Sequence, residues 1–150
     1  MSSLRLRNAL PDDLPAVLAL VRGAGLPEDV EPHFQNFVVA DRDGAIVGAV
    51  GLEIHGMRAL LRSLVVAPSS RTAGIGSSLA RAVIERARKQ PIRDLFLLTL
   101  DAAPFFEQFG FRHVDHAEAP AEIRATREFS ELCPSTARLM KLVLDPPIPS

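Results

Sequence analysis

The sequence predicts an α/β fold in which helices flank one mixed central sheet. Apolar runs of strand length alternate along the chain with segments whose apolar residues recur at helical spacing. The run Leu95–Leu100 is almost continuously apolar, as expected of a strand that is buried on both faces. With 150 residues, the chain has the length of one domain with a sizeable core. We expect that single domain to occupy residues 1–144.

The N-terminal half predicts three strands and one helix. In order, it contains a strand over 4–7, a helix opened by Pro11 and ended by Gly23 and Gly25, an irregular or helical piece over 26–35, and strands over 37–40 and 45–55. Proline is favoured in the first helical turn, because its missing N–H would have no partner there. The segment 41–44, Asp-Arg-Asp-Gly, predicts a hairpin turn between the last two strands.

The C-terminal half predicts four strands and three helices. In order, these are a strand from Leu60, a helix over 77–90, a strand over 95–100, a helix over 104–109, a strand over 111–114, a helix over 120–129 and a strand over 136–144. We expect Asp101 to cap the second of these helices. The tail 145–150 has no apolar periodicity, and we expect it to be disordered.

Composition excludes several classes of function. The formal net charge is −1, so nothing favours a general attraction to nucleic acid or to a membrane surface. A single cysteine, Cys133, rules out an intrachain disulfide and a metal site built from several cysteines. No stretch resembles a signal peptide or a membrane span, and we expect a cytoplasmic protein. The chain also lacks tyrosine, so no phenol can serve as a general acid.

The most informative segment is Leu60–Gln90, an apolar strand followed by the loop PSSRTAGIG and an amphipathic helix. Backbone N–H groups at a helix start lack intrahelical partners and lie at the positive end of the helix dipole, so they can bind an anion. Gly74 and Gly76 allow the backbone to approach that anion closely. The loop lacks the Gly-Lys-Ser/Thr of a Walker A loop and the three glycines of a dinucleotide fingerprint. The loop alone therefore indicates either a phosphate site or an ordinary strand-to-helix turn.

The spacing R-x-x-G-x-G, from Arg71 to Gly76, resembles the acyl-CoA pyrophosphate loop of the GNAT N-acetyltransferase superfamily. Asp94–Thr99 resembles the neighbouring parallel strand of that family, and Ala103–Phe111, APFFEQFGF, is similar to its A-x-x-F-Y-E-K-L-G-F segment. The order of the predicted elements also matches. The resemblance covers residues 4–114 and implies the GNAT fold, with a sheet that splays apart at mid-sheet and binds CoA in the opening.

The resemblance also implies roles for individual residues. Backbone N–H groups of the loop would hold the CoA pyrophosphate, strand backbone would pair with pantetheine and orient the acetyl carbonyl, and phenylalanines would flank the cofactor arm. The residues concerned are Arg71, Thr72, Ala73, Gly74, Ile75, Gly76 and Ser77 in the loop, Val65, Val66 and Ala67 in the strand, and Phe105, Phe106 and Phe109. The implied activity is acetyl transfer from acetyl-CoA to an amine, by direct attack in a ternary complex.

Phe106 departs from the family pattern. Many members have a tyrosine there that protonates the leaving thiolate, and phenylalanine has no proton to give. Because a thiol has a pKa of about 8.5, the thiolate is a tolerable leaving group, and loss of the acid need not abolish the reaction. The alternative is a non-catalytic relative that binds CoA or senses a metalloid.

Direct attack needs a base, because an ammonium has no lone pair. Glu53 is the candidate, since it lies on the long strand over 45–55 beside the implied splay. His55 is the second candidate, because imidazole titrates near neutral pH. The alternative for each is a solvated side chain at the surface or end of the strand. His113 and His116 lack metal-ligand spacing, and we expect no metal.

The C-terminal third, from Val114 to Ala137, resembles a small GNAT subgroup of arsenic-resistance acetyltransferases and, more loosely, the acetyltransferase domain of N-acetylglutamate synthases. Both resemblances imply a small amino acid or amino-acid-like amine as the acceptor, and so a cation for its carboxylate. Arg62, Arg124 and Arg138 are the candidates, because guanidinium pairs with carboxylate in a bidentate fashion. The alternative for each is a solvated arginine or a structural ion pair.

Arg62 stands out because it interrupts an apolar run. Strand alternation would place it on the same face as Leu60, Leu64 and Val66. A charge among such residues is costly unless it is paired or faces a cavity.

Three further hypotheses stay open. Cys133 could bind a trivalent arsenical, although one thiol is a weak site and a free cysteine is most often a small buried hydrophobe. The last strand predicts an exposed edge that could pair in a homodimer. An acetyltransferase of peptides or ribosomal proteins is less favoured, because the sequence shows no acidic groove.

Overall fold

The computed structural model describes residues 3–71, 74–127, 129 and 137–144. Its strands are β1 (Leu4–Asn8), β2 (Phe37–Arg42), β3 (Ala45–His55), β4 (Arg58–Val66), β5 (Asp94–Thr99), β6 (Arg112–Val114) and β7 (Arg138–Val143). Its α-helices are α1 (Leu14–Gly23), α2 (Ile75–Arg88), α3 (Ala103–Glu107) and α4 (Ala121–Arg124), and short 3-10 helices cover Pro11–Asp13, Glu31–Asn36, Pro68–Ser70 and His116–Glu118. Within this part of the chain, no helix has both the length and the apolar content needed to cross a bilayer.

The described strands form one seven-stranded sheet in the order β1-β2-β3-β4-β5-β7-β6. β4 and β5 are parallel, whereas the pairs β1–β2, β2–β3, β5–β7 and β6–β7 are antiparallel. The mixed α/β sheet predicted from the sequence is therefore confirmed. In the parallel pair, Arg58–Leu60 of β4 are the register partners of Asp94–Phe96 of β5. β4 continues past this paired part to Val66, and β5 continues to Thr99.

Two compact units can be distinguished, and β3 and β4 contribute to both. The first contains the chain up to Glu53 together with Arg62–Glu85. The second contains Ile54–Leu61 and the chain from Arg86 onward. Each unit has an apolar cluster of its own.

The core of the first unit is built around α1. Val17 and Val21 lie one helical turn apart and are fully buried. They share a cluster with Val30, Phe34, Phe37, Val39, Ala49 and Val65. Burial of a side chain of this size contributes about 1.5–3 kcal/mol. Gly25 ends the helix as predicted, because its φ of 71° allows the N–H of Leu26 to donate to the carbonyl of Val21 at 2.9 Å.

Gly51 determines how β2 packs on β3. It is the register partner of Phe37, whose ring is fully buried. A Cβ atom at Gly51 would lie 2.0 Å from Cε1 of that ring. The strand therefore needs a residue without a side chain at this position, so that the ring can lie across it.

The second unit buries β5, as its apolar run predicts. Phe96 is 1% exposed and packs with Leu60, Ala119, Ile123 and Leu139. β7 lies between β5 and β6 and is antiparallel to both. The last strand is therefore an inner strand of the sheet, and the prediction that it is an edge was wrong, because hydrophobic patterning does not determine strand order.

The cap predicted for α3 was wrong. The residue that precedes the helix is Ala102, and no side chain caps the helix. The N–H of Ala102 instead donates to Oγ1 of Thr99 at 2.9 Å. A hydroxyl at the end of β5 thus accepts from the residue that precedes the helix, and the helix itself begins without a side-chain cap.

The helix predicted over 120–129 is interrupted, since α4 ends at Arg124. The hydroxyl of Thr126 donates to the carbonyl of Ile123 at 2.7 Å and accepts from the N–H of Phe129 at 3.1 Å. This side chain takes the backbone partners that a continuous helix would use, so the helix stops there.

Arg7 on β1 joins two aspartates. Its Nη1 lies 2.7 Å from Oδ2 of Asp13, and its Nε lies 3.2 Å from Oδ2 of Asp41. The hydrogen bond from Arg7 lowers the pKa of Asp13 below its ordinary value. The pKa of Asp41 is also lowered, first by the N–H of Gly44 at 2.7 Å and then by Arg7.

We expect acid to destabilise the protein through these two carboxylates. Because their pKa values are lower in the folded state, their stabilisation is present above the unfolded pKa of about 3.9 and is lost as the pH falls towards the folded values. Asp13→Asn should remove part of this dependence. In urea unfolding at about pH 7 and about pH 3, the variant should lose less free energy of unfolding than the wild type. Asp12→Asn, at an exposed neighbour, is the control, and equal losses in the wild type and Asp13→Asn would contradict the expectation.

Candidate active site

The predicted anion loop joins the end of β4 to α2 in the first unit. After the 3-10 helix Pro68–Ser70, Gly74 adopts a left-handed backbone with φ 71°, which glycine takes at little cost. The N–H of Ser78 donates to the carbonyl of Gly74 at 3.2 Å. α2 begins at Ile75, two residues before its predicted start, so the glycine loop leads directly into the first helical turn. Thr72–Ala73, also predicted to belong to the site, lie outside the described residues.

Close packing on β3 holds the start of α2 in place. Ile75 and Leu79 are fully buried. A Cβ atom at Gly48 would lie 2.9 Å from Cδ1 of Leu79, 3.1 Å from the carbonyl oxygen of Val65 and 3.3 Å from Cγ2 of Ile75. The absent side chain at Gly48 thus lets helix and strand approach each other, which fixes the N-terminal turn of α2.

The side chain of Arg71 turns back towards β4. Its Nε donates to the carbonyl of Val66 at 3.2 Å, while the residue stays exposed. Gly76 and Ser77, in the first turn of α2, are half-buried. Arg71 therefore ties the loop to the strand, and the N–H groups of the first helical turn are the groups suited to an anion.

α3 of the second unit carries two of the predicted phenylalanines, Phe105 and Phe106, and Phe109 follows it. Ring centroids lie 5.1 Å apart for Phe105 and Phe106, 5.2 Å for Phe105 and Phe109, and 5.8 Å for Phe106 and Phe111, all edge-on. Phe106 is 7% exposed. The position at which many relatives have a tyrosine is thus occupied by an apolar ring that packs among other rings.

A buried group of charged side chains lies in the first unit. Arg62 of β4 is 2% exposed and Glu53 of β3 is 4% exposed. Nη1 of Arg62 donates to Oε1 of Glu53 at 2.8 Å, and Nη2 donates to Oδ1 of Asp29 at 2.7 Å. Nε donates to Oγ of Ser63 at 3.2 Å. The expectation that an arginine in this apolar run is paired is confirmed, and every nitrogen of its guanidinium has a partner within the protein.

His33 completes this group. Its Nε2 lies 3.4 Å from the same Oε1 of Glu53, and its side chain is 24% exposed. It belongs to the 3-10 helix Glu31–Asn36, whose buried Phe34 packs on Phe37 at 5.4 Å. Asp29, His33, Glu53 and Arg62 are called the charge cluster below.

The charge cluster also has to be considered as a metal site. The ligand atoms of Asp29, His33 and Glu53 lie within 4.8 Å of one another. Both carboxylates, however, already bond to the guanidinium of Arg62. The cation of this cluster is therefore Arg62, and a metal would have to displace it.

Ser63 interrupts the regular pleat of β4. Its φ of 59° lies in the left-handed region, which is rare for a residue with a side chain and is often found at functional sites. Beyond it, Val65 is buried, whereas Leu64 and Val66 are half-buried. The predicted face shared by Arg62, Leu64 and Val66 rested on regular alternation, which a residue in this conformation interrupts.

The other predicted site residues lie in the second unit or outside the described residues. Arg124 and Arg138 are exposed, and His55 is half-buried at the end of β3. Arg138 lines an open cavity of about 390 Å³ together with His113 and His116. Cys133 lies outside the described residues.

The sequence prediction missed Asp29 and His33. Both lie in the proline-containing piece over 26–35, where no periodicity assigns a direction to any side chain. The only available signal was the position of the Arg62 charge in an apolar run, which called for a carboxylate partner but did not identify it. The acidic residues of this piece could have been proposed as a group.

Residues 33–113 match the family of the acetyltransferase (GNAT) domain. They make up more than half of the 150-residue chain. This chain belongs to the GNAT acetyltransferase family. The GNAT domain is similar to an amino-acid acetyltransferase of Aeromonas salmonicida, with 30% identity over 133 residues that cover 81% of this chain. Those residues are 30% of the relative, so the chain spans less than a third of the length of this amino-acid acetyltransferase, as it does for an amino-acid acetyltransferase of Pasteurella multocida.

Solved structures resemble the GNAT domain over nearly its whole length. The protein Rv2747 from Mycobacterium tuberculosis, in a complex that contains CoA, has a TM-score of 0.81 at 26% identity, covering 94% of this chain and 99% of that one. N-acetylglutamate synthase from Neisseria gonorrhoeae, with CoA and N-acetyl-glutamate, has a TM-score of 0.82 at 24% identity, covering 95% of this chain and 35% of that one. At that identity, the second likeness concerns the fold alone.

Proposed function

We propose that this domain is an acetyl-CoA-dependent N-acetyltransferase that acts on the amine of a small amino acid or amino-acid-like molecule. The observation that carries the proposal is the family match over 33–113, which contains the strand, glycine loop and helix of the expected acetyl-CoA site. The M. tuberculosis relative, bound to CoA, supports the cosubstrate. The A. salmonicida relative, an amino-acid acetyltransferase, supports the acceptor class.

Binding of the donor is assigned to the loop and the start of α2. A Cβ atom at Gly74 would meet nothing within 4 Å among the described residues beyond its chain neighbours, so this part of the chain leaves space beside the backbone. The N–H groups of Ile75, Gly76 and Ser77 belong to the first helical turn and suit the pyrophosphate. Val65 lies beyond the registered pairing of β4 with β5, as pairing with pantetheine requires.

Glu53 is the proposed base. It takes a proton from the acceptor ammonium, directly or through a water, and the freed amine attacks the thioester carbonyl carbon. The C–N bond forms, and the tetrahedral intermediate then breaks its C–S bond and releases the CoA thiolate. The hydrogen bond from Arg62, at 2.8 Å, holds the carboxylate in one orientation for this step.

The thiolate leaves without a proton from position 106. Phe106 has no acidic group, and it is packed edge-on against Phe105 and Phe111. Because a thiol has a pKa of about 8.5, the thiolate can leave as an anion and take its proton from water.

Recognition of the acceptor carboxylate is assigned to Arg124 or Arg138, because both are exposed. Arg62 was expected to share this role. Its guanidinium is engaged by Asp29, Glu53 and Ser63, and an acceptor carboxylate would have to replace one of them. Arg62 is therefore assigned to holding Glu53.

Some finer points stay predictions from the sequence. They are a link with arsenic resistance, a cytoplasmic location, a homodimer, and the non-catalytic alternative that binds CoA or senses a metalloid. The homodimer was proposed because the last strand was expected to be an exposed edge. That argument no longer holds, because β7 is an inner strand.

The proposal is tested by incubating the protein with acetyl-CoA and a panel of amino acids, glutamate included, while free thiol is followed. We expect stoichiometric thiol release with one or a few of these amines. Absence of release with every amine, while CoA still raises the melting temperature, would favour the non-catalytic alternative. A thermal shift with arsenite would then separate CoA binding from metalloid sensing.

Substitution of Gly74 is expected to weaken the binding of acetyl-CoA. Gly74→Ala forces a side chain into a backbone with φ 71°, which costs about 1 kcal/mol or more, so the KM for acetyl-CoA should rise about fivefold. Steady-state kinetics should show little change in kcat. Gly56→Ala is the matched control, because Gly56 has φ 66° and equally open surroundings in the turn between β3 and β4. Equal KM values in the two variants would contradict the assignment of the loop.

A further inference from the structure

Glu53 has to lose each proton that it takes from an acceptor before it can act again, a requirement that rests on the proposed function. Its side chain is 5% exposed, which restricts direct return of the proton to water. Nη1 of Arg62 lies 2.8 Å from its Oε1, and Nε2 of His33 lies 3.4 Å from the same atom. A guanidinium does not deprotonate in a protein, whereas an imidazole accepts and releases protons near neutral pH.

We propose that His33 is the proton outlet of Glu53. Its side chain is 24% exposed, so the ring lies between the buried carboxylate and the solvent. After the amine has attacked, Nε2 accepts the proton from Oε1, and the imidazolium loses it to water. The charged groups of the cluster around His33 are Glu53 from β3, Arg62 from β4 and Asp29 from the preceding loop.

The protons balance in this scheme. An ammonium that becomes an amide loses two protons, one before the C–N bond forms and one after it. Glu53 takes the first and passes it out through His33 as the net proton of the reaction, and the second passes from the intermediate to water, which supplies the proton that the CoA thiolate takes up. Transfer from the Glu53 carboxyl to neutral His33 regenerates the carboxylate, and release from the imidazolium regenerates the neutral ring.

Asp29 acts as a positioning residue. It accepts from Nη2 of Arg62 at 2.7 Å and from Nη1 at 3.4 Å, so it fixes the plane of the guanidinium that orients Glu53. Asp29 precedes His33 by four positions in the chain. The next residue, Phe34, is buried in the apolar cluster of the first unit and holds this segment in place. One short segment therefore supplies both the support of Arg62 and the proton outlet.

The charge cluster lies close in the chain to the proposed reacting carbonyl. Arg62 precedes Val65 by three positions on β4, which corresponds to about 10 Å along a strand. Val65 is the residue that the family resemblance assigns to the acetyl group. The amine of an acceptor bound at Val65 would therefore lie between this carbonyl and Glu53, with ordered water completing the path to the carboxylate where it is needed.

The decisive variant is His33→Gln, with Glu31→Gln as its control. Glu31 is an exposed residue of the same 3-10 helix as His33. In rapid-mixing experiments, His33→Gln should release about one thiol per site at the normal rate and then turn over about tenfold more slowly. The burst is expected because the first turnover does not depend on removing a proton left by an earlier one. Added imidazole should restore turnover, and the KM for acetyl-CoA should stay within about twofold.

Three outcomes of these kinetics would overturn the proposal. They are an unchanged kcat and pH profile in His33→Gln, a first turnover as slow as the later ones, and an equal loss in Glu31→Gln. An unchanged profile would show that another route carries the proton from Glu53. Either of the other two outcomes would show that the substitution slows the enzyme in general, through folding or chemistry, and not through proton release.

A measurement without catalysis separates this proposal from the proposed function. Histidine NMR titration of the wild type and of Glu53→Gln should show the His33 midpoint about half a pH unit or more lower in the variant, because the neighbouring carboxylate is lost. The midpoint of His113 should not move. An unchanged His33 midpoint overturns the His33–Glu53 pair, whereas failure of the wild type to acetylate any amine overturns the proposed function.

Discussion

Glu53→Gln is expected to reduce kcat by about 100-fold or more, while the KM for acetyl-CoA changes little. The amide keeps the shape of the carboxylate and can still accept from Arg62, whose Nη1 lies 2.8 Å away, so the local packing is preserved. It cannot take a proton from an ammonium, and only the small fraction of acceptor that is already neutral can react. The rate of the variant should therefore rise roughly tenfold per pH unit as long as the acceptor is mainly protonated.

Steady-state kinetics between about pH 6 and about pH 9 measure both effects. Glu31→Gln, at an exposed residue of the neighbouring 3-10 helix, is the control and should leave kcat unchanged. A Glu53→Gln enzyme with near wild-type kcat, or with an unchanged pH profile, would show that another group is the base. His55 would then be tested in the same way.

The second large effect is expected from Arg62→Met, which should lower the free energy of unfolding by about 3–5 kcal/mol. Methionine has a similar length, but it leaves the carboxylates of Glu53 and Asp29 without their cation. Glu53 is 4% exposed, so water cannot fully replace the lost partner. Urea denaturation, monitored by circular dichroism, measures the loss.

Arg22→Met is the matched control for the loss of an ion pair. Nη2 of Arg22 lies 2.8 Å from Oε1 of Glu28, but the side chains are 65% and 51% exposed, so the expected cost is below about 1 kcal/mol. Adding Asp29→Asn and Glu53→Gln to Arg62→Met removes the uncompensated charges and should recover part of the stability. A loss below about 1 kcal/mol in Arg62→Met would contradict the view that this cluster is a tightly coupled buried network.

Much of the architecture follows from local sequence patterns. β3 was predicted with its observed limits, Ala45–His55, because its apolar character is long and the turn before it has a strong signature. Predicted helix boundaries were wrong where a side chain takes a backbone hydrogen-bond partner, as Thr99 does before α3 and Thr126 does after α4. Strand order failed for β7, since hydrophobicity predicts that a strand is buried but does not identify its neighbours.

The candidate site was predictable in a similarly uneven way. The glycine loop was found because its proposed function depends on backbone N–H groups. Such a site needs a glycine before a helix start, and both Gly74 and α2 are recognisable in the sequence. Arg62 was found because a charge in an apolar strand needs a partner. Asp29 and His33 were missed, because they contact Glu53 and Arg62 only through tertiary structure, from a segment without periodicity. The left-handed conformation of Ser63 also had no signal, since serine is not a residue that favours it.

The position of β7 has a consequence for how the protein is made. β5 and β6 emerge from the ribosome before β7, yet both form their antiparallel pairs with it. Until Arg138–Val143 has been synthesised, neither strand has this partner, and the second unit cannot complete its core around Phe96 and Leu139. The nascent chain therefore carries unpaired strand edges until this segment has left the ribosome, which makes chains that stop short of it prone to association.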